Sequence, residues 1–183
     1  RFYAPVLLSC NEIGERTTRP IVTLERTVDY TTTAQLCVTN DTRLPVDGIV
    51  HWALRNTTSE ILDYGETAVH CAPFSAEILP LIDLHKTDVD HNYLSYNLQC
   101  DGHIISEGTT LFTVEKYFAF ADPKLTLSVD GDNIIVNAAA YAKAVEIDAT
   151  DADILLSDNY FDMNAGSRTI KVLQGNASSC TLR

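Results

Sequence analysis

Runs of alternating apolar and polar residues, each short and cut by Gly, Asn, Asp or Pro, recur along most of the 183-residue chain, whereas helical periodicity is scarce. Alternation with period two places every second side chain on one face of an extended strand, so the pattern restricts the chain to strands that bury one face and wet the other. A strand start is expected at Pro20 to Leu24. Ala34, Leu36 and Val38 share a face before the turn-forming stretch Asn40 to Pro45. Val50, Trp52 and Leu54 alternate with His51, Ala53 and Arg55, which makes Trp52 the expected core anchor. Further on, a strand is expected through Val69 and Cys71, a loop over Pro80 to His91, and a strand over Tyr93 to Cys100 with Leu94, Tyr96, Leu98 and Cys100 on one face.

Turn chemistry then pairs the strands. Asp101-Gly102 leads straight into His103-Ile104-Ile105-Ser106 and suits the positive φ angles of a primed hairpin turn. Asp130-Gly131-Asp132-Asn133 does the same between Leu125, Leu127 and Val129 on one side and Ile134 and Val136 on the other. The Ala-rich stretch Ala138 to Val145 has helix propensity, but strand-like runs on both sides leave less than the roughly 12 residues an isolated helix needs. Strand, loop, strand is expected there. Alternation lapses over Glu115 to Lys124 and Pro123 marks a break, which sets a boundary near residue 120. The expectation is an all-β chain of two tandem immunoglobulin-like β-sandwich domains, over 1–119 and, smaller, over 120–183.

Cys37, Trp52 and Cys100 follow the order of the immunoglobulin disulfide signature. Strand parity opposes the bond, because Cys37 points away from the face of Leu36 and Val38 while Cys100 lies on the apolar face with Leu98. The five cysteines, at 10, 37, 71, 100 and 180, are odd in number and contain no Cys-x-x-Cys. Free, mostly buried thiols in a reducing, cytoplasmic compartment are therefore expected. The opening at Arg1 without an initiator Met or signal peptide, with the only Met at 163, reads as a piece cut from a longer polypeptide. Thirteen basic against 25 acidic residues give a net charge of −12 with no basic cluster, so nucleic acid is not an expected partner. No membrane span is expected, since runs such as Val6-Leu7-Leu8 fall far short of roughly 20 residues.

Candidate chemistry is sparse. Asp83, His85, Asp88, Asp90 and His91 are metal-ligand types within nine residues, but their spacing matches no zinc site, and a solvated loop explains them. Asp148, Asp151, Asp153 and Asp158 lack the order of a calcium loop. Tyr64, Tyr117, Phe118, Phe120, Tyr141 and Tyr160 are the candidates for a sugar-stacking platform, with Tyr117, Phe118 and Phe120 equally suited to cementing the boundary. Asn40, Asn56 and Asn176 begin Asn-x-Ser/Thr sequons, which matter only in a secreted chain. No nucleophile elbow, dinucleotide fingerprint or P-loop occurs. No catalytic residue, cofactor or metal ligand is assigned.

Three segments carry a resemblance. Arg1-Phe2-Tyr3-Ala4-Pro5-Val6-Leu7-Leu8-Ser9 resembles the segment that leaves the catalytic barrel in β-mannosidase-like members of glycoside hydrolase family 2, and Phe118-Ala119-Phe120-Ala121-Asp122-Pro123-Lys124-Leu125, then Leu156-Ser157-Asp158-Asn159-Tyr160-Phe161-Asp162 with Ala165-Gly166, resemble that family's C-terminal immunoglobulin-like domain. The most specific piece is Ser157 to Asp162. The resemblance implies a parent that hydrolyses terminal β-linked sugars, mannose first, by a retaining mechanism with two glutamates on a (β/α)8 barrel. No glutamate of this chain matches that catalytic motif, so the fragment is expected to be inactive. Its expected partners are the barrel of the same polypeptide and, through the parent, a carbohydrate substrate. Tyr3, Phe118 and Phe120 are the candidate packing contacts, and apolar surface freed from the barrel favours a homodimer. A free-standing adhesion or carbohydrate-binding module and a self-contained enzyme are the rival readings.

Overall fold

The computed structural model describes residues 4–13, 32–84, 87–149 and 154–182. The expected strand start at Pro20 to Leu24, together with Tyr3, His85, Asp151 and Asp153, lies outside them. The chain divides into two compact units, Arg1–Arg55 with Ile61–Phe118, and Asn56–Glu60 with Ala119–Arg183. Both are built from strands and short turns, with no α-helix among the described residues.

The first unit contains β1 (Val6–Ile13), β2 (Thr33–Asn40), β3 (Val46–Asn56), β4 (Ile61–Cys71), β5 (Ser75–Asp83), β6 (Asn92–Cys100) and β7 (His103–Leu111). They form two antiparallel sheets, ordered β1-β2-β5 and β4-β3-β6-β7. Alternation does what the sequence predicts: Ala34, Leu36 and Val38 of one sheet and Val50, Leu54, Leu94 and Leu98 of the other turn into a single core. The Asp101-Gly102 hairpin forms with Cys100 opposite His103, and both turn residues have positive φ, 49° and 80°.

Two expectations need correction. Trp52 packs against this core but is only half-buried, while Tyr93, on the opposite face of its sheet, is fully buried. The indole of Trp52 lies across Gly65 on the edge strand β4, where an added Cβ would come within 2.7 Å of its ring. Tyr93 is covered instead by Phe118, edge to face with ring centroids 6.4 Å apart. The loop expected over Pro80 to His91 begins too early, because Pro80 sits inside β5. The strand lies at a sheet edge, where the missing N–H removes no ladder bond from a central strand, and its neighbours Leu79 and Ile82 are buried.

The second unit contains β8 (Thr126–Asp130), β9 (Asn133–Ala138), β10 (Ala142–Val145), β11 (Ile147–Ala149), β12 (Leu155–Leu156), β13 (Phe161–Met163), β14 (Gly166–Gln174) and β15 (Cys180–Leu182). A sheet ordered β12-β14-β9-β8 is joined by two small antiparallel pairs, β10-β13 and β11-β15. Ile134, Val136, Ile170 and Val172 of the large sheet pack with Val145, Ile147, Phe161, Met163 and Cys180 of the pairs. The Ala-rich stretch is strand, bend, strand as the sequence predicts, and the Asp130–Asn133 hairpin turns on Gly131.

Candidate functional site

The five cysteines are free thiols, two buried and three half-buried. Cys37 pairs with Ser9 and Ile78 along the outer face of its sheet, whereas Cys100 packs against the core from the other sheet. Burial pushes the Cys10 thiol up to about 11, and burial likewise raises Cys100 and Cys180. A nucleophilic cysteine needs the opposite shift.

The acidic candidates resolve into turns and pairs. Asp88 accepts from the backbone N–H of Asp90 and lies 2.9 Å from His91 Nδ1, closing the turn ahead of β6. Asp83 is exposed at the end of β5. No group of three or more metal-ligating side chains forms among the described residues. Asp148 accepts from the N–H of Ala149, while Asp158 is ion-paired with Arg168 at 2.9 Å. A cavity between β1 and β7 is lined, among the described residues, by Ala4, Leu7, Ile104, Ile105, Ser106 and Glu107.

All three sequons are used as turn-forming motifs. Asn40, Asn56 and Asn176 each accept, through Oδ1, the N–H two residues on, at 3.0, 3.1 and 2.9 Å. Asn40 is fully buried and its Nδ2 also reaches the carbonyls of Leu44, Cys71 and Ala72.

The aromatic candidates do not form one platform. Phe118 and Tyr141 are buried, Phe118 on Tyr93 within the first unit and Tyr141 stacked on Phe120 within the second, at 6.1 Å. Tyr117 lies under the Lys116 ammonium at 4.6 Å. Only Tyr64, 76% exposed, and Tyr160, 65% exposed, present most of their surface to solvent.

Ser157 to Asp162 makes a polar clasp inside the second unit. Asn159 Oδ1 accepts from the N–H of Ile147 at 2.8 Å and Nδ2 donates to its carbonyl at 2.9 Å, so one carboxamide replaces a strand beside β11. Asp162 accepts from the Ala144 N–H at 2.8 Å and pairs with Lys143 at 3.2 Å. Arg168 carries the Asp158 pair and stacks over Phe161, 4.6 Å from its centroid. Tyr160 and Ala144 have positive φ, 55° and 51°, and the Tyr160 hydroxyl donates to Glu146 at 2.8 Å. The clasp holds β10, β11 and β13 where their own short ladders would not.

A second arrangement, missed in the sequence, spans the outer face of the β4-β3-β6-β7 sheet. Because Val50 and Leu54 point inward, His51, Ala53 and Arg55 point out, and the register sets Glu66 opposite His51 and Tyr64 opposite Ala53. His51 Nδ1 lies 3.4 Å from Glu66 and Nε2 3.2 Å from Gln99 Oε1, giving a polar row across three strands. Arg55 Nε donates to Ser95 on the same face at 2.9 Å. The alternation of β3 with its polar members outward was the available signal, but the cross-strand register was needed to assemble the row.

Comparison with known proteins agrees with this architecture. Residues 32–117 match the family described as Mannosidase Ig/CBM-like domain, and residues 120–182 the family described as Ig-fold domain, of mannosidase type. A β-D-mannosidase from Dictyoglomus thermophilum superposes with a TM-score of 0.71 at 13% identity, over 96% of this chain and 21% of that one. The exo-chitosanase of Amycolatopsis orientalis superposes with TM-scores of 0.56 and 0.54, at 12% and 13% identity, over 75% of this chain and 22% of the enzyme. The chain thus spans about a fifth of the length of these structures. No curated protein matches in sequence. The chain is a tandem of immunoglobulin-like domains of the mannosidase type, a Mannosidase Ig/CBM-like domain followed by an Ig-fold domain.

Proposed function

We propose that the chain is the non-catalytic, C-terminal accessory part of a retaining exo-β-glycosidase, with β-mannoside as the first substrate class. The observation that carries this reading is the order of the two matched domains, 32–117 then 120–182, together with a superposition on a β-D-mannosidase that covers 96% of the chain. Asp158 faces Arg168, and Asp162 faces Lys143 and the Ala144 N–H, pairings that suit structural work. In this reading the catalytic barrel belongs to the rest of the same polypeptide. The boundary near residue 120 separates a larger from a smaller accessory domain.

Exposed Ile78 and Leu81 on β5 give the barrel an apolar surface to cover. Without the barrel the same surface would favour a homodimer. The five free thiols support a reducing, cytoplasmic setting.

The test is hydrolysis of p-nitrophenyl β-mannoside, β-galactoside, β-glucoside and β-glucuronide by this chain and by the longer polypeptide that contains it. Turnover by the longer protein alone, with mannoside preferred, is the expected result. Turnover by this chain would overturn the accessory role, and preference for another glycoside would overturn the substrate class.

A further inference from the structure

We propose that the whole outer face of the β1-β2-β5 sheet, centred on Cys37, is where a neighbouring domain of the longer polypeptide docks, and that it takes an apolar, uncharged surface. That domain is the catalytic barrel in the reading above, on which this inference rests. Ala34, Leu36 and Val38 point into the core, so the register turns the alternate residues outward in rows across the three strands. The two central rows are Ser9, Cys37 and Ile78, then Asn11, Gln35 and Leu81. Rows from Leu7 to Ala76 and from Ile13 to Asp83 flank them, and Asp83 is the one charge in all four. Ile78 and Leu81 are 63% and 58% exposed.

Three polar members of the face are turned back on its own backbone. Ser9 Oγ donates to the Cys37 carbonyl at 3.4 Å, Gln35 Nε2 to that of Leu79 at 3.3 Å, and Thr33 Oγ1 to that of Ile13 at 2.6 Å. The outer face of the other sheet instead presents His51, Glu66 and Arg55, as a face in water does. A face that spends its donors internally beside exposed Ile78 and Leu81 is built to be covered. Strand addition at the edge is opposed, because β5 carries Pro80 beside its register shift opposite Gln35 and Cys37. The partner therefore meets the face.

Its size selects the occupant. Three strands and four rows make a patch of roughly 14 by 27 Å, on the order of 400 Å². Counted on both partners this is about 800 Å², within the roughly 600–1,500 Å² of interfaces between domains of one chain and below the roughly 1,200 Å² at which stable complexes of separate chains begin. A covalently linked domain needs no bimolecular affinity to stay in place. A second copy does, and it would bring a further net charge of −12. This chain spans about a fifth of the structures it superposes on, so such a polypeptide has ample length to supply the occupant.

Cys37 is the reporter, since Cys71 and Cys180 are buried and Cys10 and Cys100 pack against the core. N-ethylmaleimide labelling followed by mass spectrometry compares this chain with the longer polypeptide that contains it. Cys37 should react in this chain and roughly tenfold more slowly in the longer protein. Ile78→Glu and Leu81→Glu should restore labelling in the longer protein and lower its thermal midpoint, while leaving the midpoint of this chain unchanged. Tyr64→Glu, on the other sheet, should change neither. Equal labelling of the two unmutated proteins would overturn the proposal. So would protection of Cys37 in this chain alone: protection that grows with concentration would assign the face to a second copy, and protection at every dilution would mean that the chain covers its own face. Hydrolysis of the p-nitrophenyl glycosides decides the accessory-domain reading separately. A longer protein that cleaves none of them yet protects Cys37 would end that reading and keep this docking face, and cleavage with Cys37 unprotected would do the reverse.

Discussion

Replacing Asn159 by Ala removes the carboxamide that substitutes for a strand beside β11. Three hydrogen bonds go with it: two to Ile147, at 2.8 and 2.9 Å, and one from the N–H of Tyr160, at 3.0 Å. Ile147 is 3% exposed, so water does not easily take over its N–H and carbonyl. At a net value near 1 kcal/mol per bond the loss is about 3 kcal/mol. For a unit this small that corresponds to a fall in midpoint of roughly 12–24 °C. The assay combines amide hydrogen exchange, read at β10, β11 and β13, with Trp52 fluorescence. Trp52 is the only Trp and lies in the first unit, so its emission reports that unit by itself. Asn159→Ala should lower protection around Ile147 while leaving the native Trp52 emission unchanged. Asn176→Ala, which removes the capping bond to Ser178, is the control and should cost about 1 kcal/mol. A loss below about 1 kcal/mol for Asn159→Ala would refute the view that the Ser157 to Asp162 segment is a structural clasp.

Other perturbations probe the first unit. Asn40→Ala deprives the carbonyls of Leu44, Cys71 and Ala72 and the N–H of Thr42 of their partner at a fully buried site, and should cost about 3–5 kcal/mol in a urea titration followed by Trp52 emission. At Gly48 an added Cβ would lie 2.6 Å from the carbonyl oxygen of Gln99, which is backbone and has little room to move, so Gly48→Ala should destabilise the same transition by about 1–3 kcal/mol or more. Burial raises the Cys10 thiol from 9.0 to about 11, so the stability it contributes is fully present below about pH 9 and is lost as pH rises towards 11, where the unfolded thiol is already ionised. Denaturation curves at increasing pH should therefore fall less steeply for Cys10→Ala than for the unmodified chain, and equal slopes would refute the burial of this thiol.

Local chemistry made parts of this fold legible in advance. Asp101-Gly102 and Asp130-Gly131 specify their hairpins because a positive φ at the turn is a property of those residues themselves. The parity of Cys37 and Cys100 followed from alternation, and the free thiols are consistent with it. Trp52 shares a face with Val50 and Leu54, but that says nothing of how far the opposing sheet extends over it, and it stays half-buried. Pro80 stays within β5 for the complementary reason: a proline breaks a central strand but not an edge, and edge position is set by the order of strands.

Composition, alternation and turn residues thus determined an all-β chain in two units, because each depends on neighbours within a few positions. The clasp and the polar face were decided only by tertiary structure. Asn159 meets Ile147 twelve residues away, and His51 meets Gln99 forty-eight residues away. Such pairs exist only after strand register has been set, and register is the collective outcome of burying one face of every strand at once.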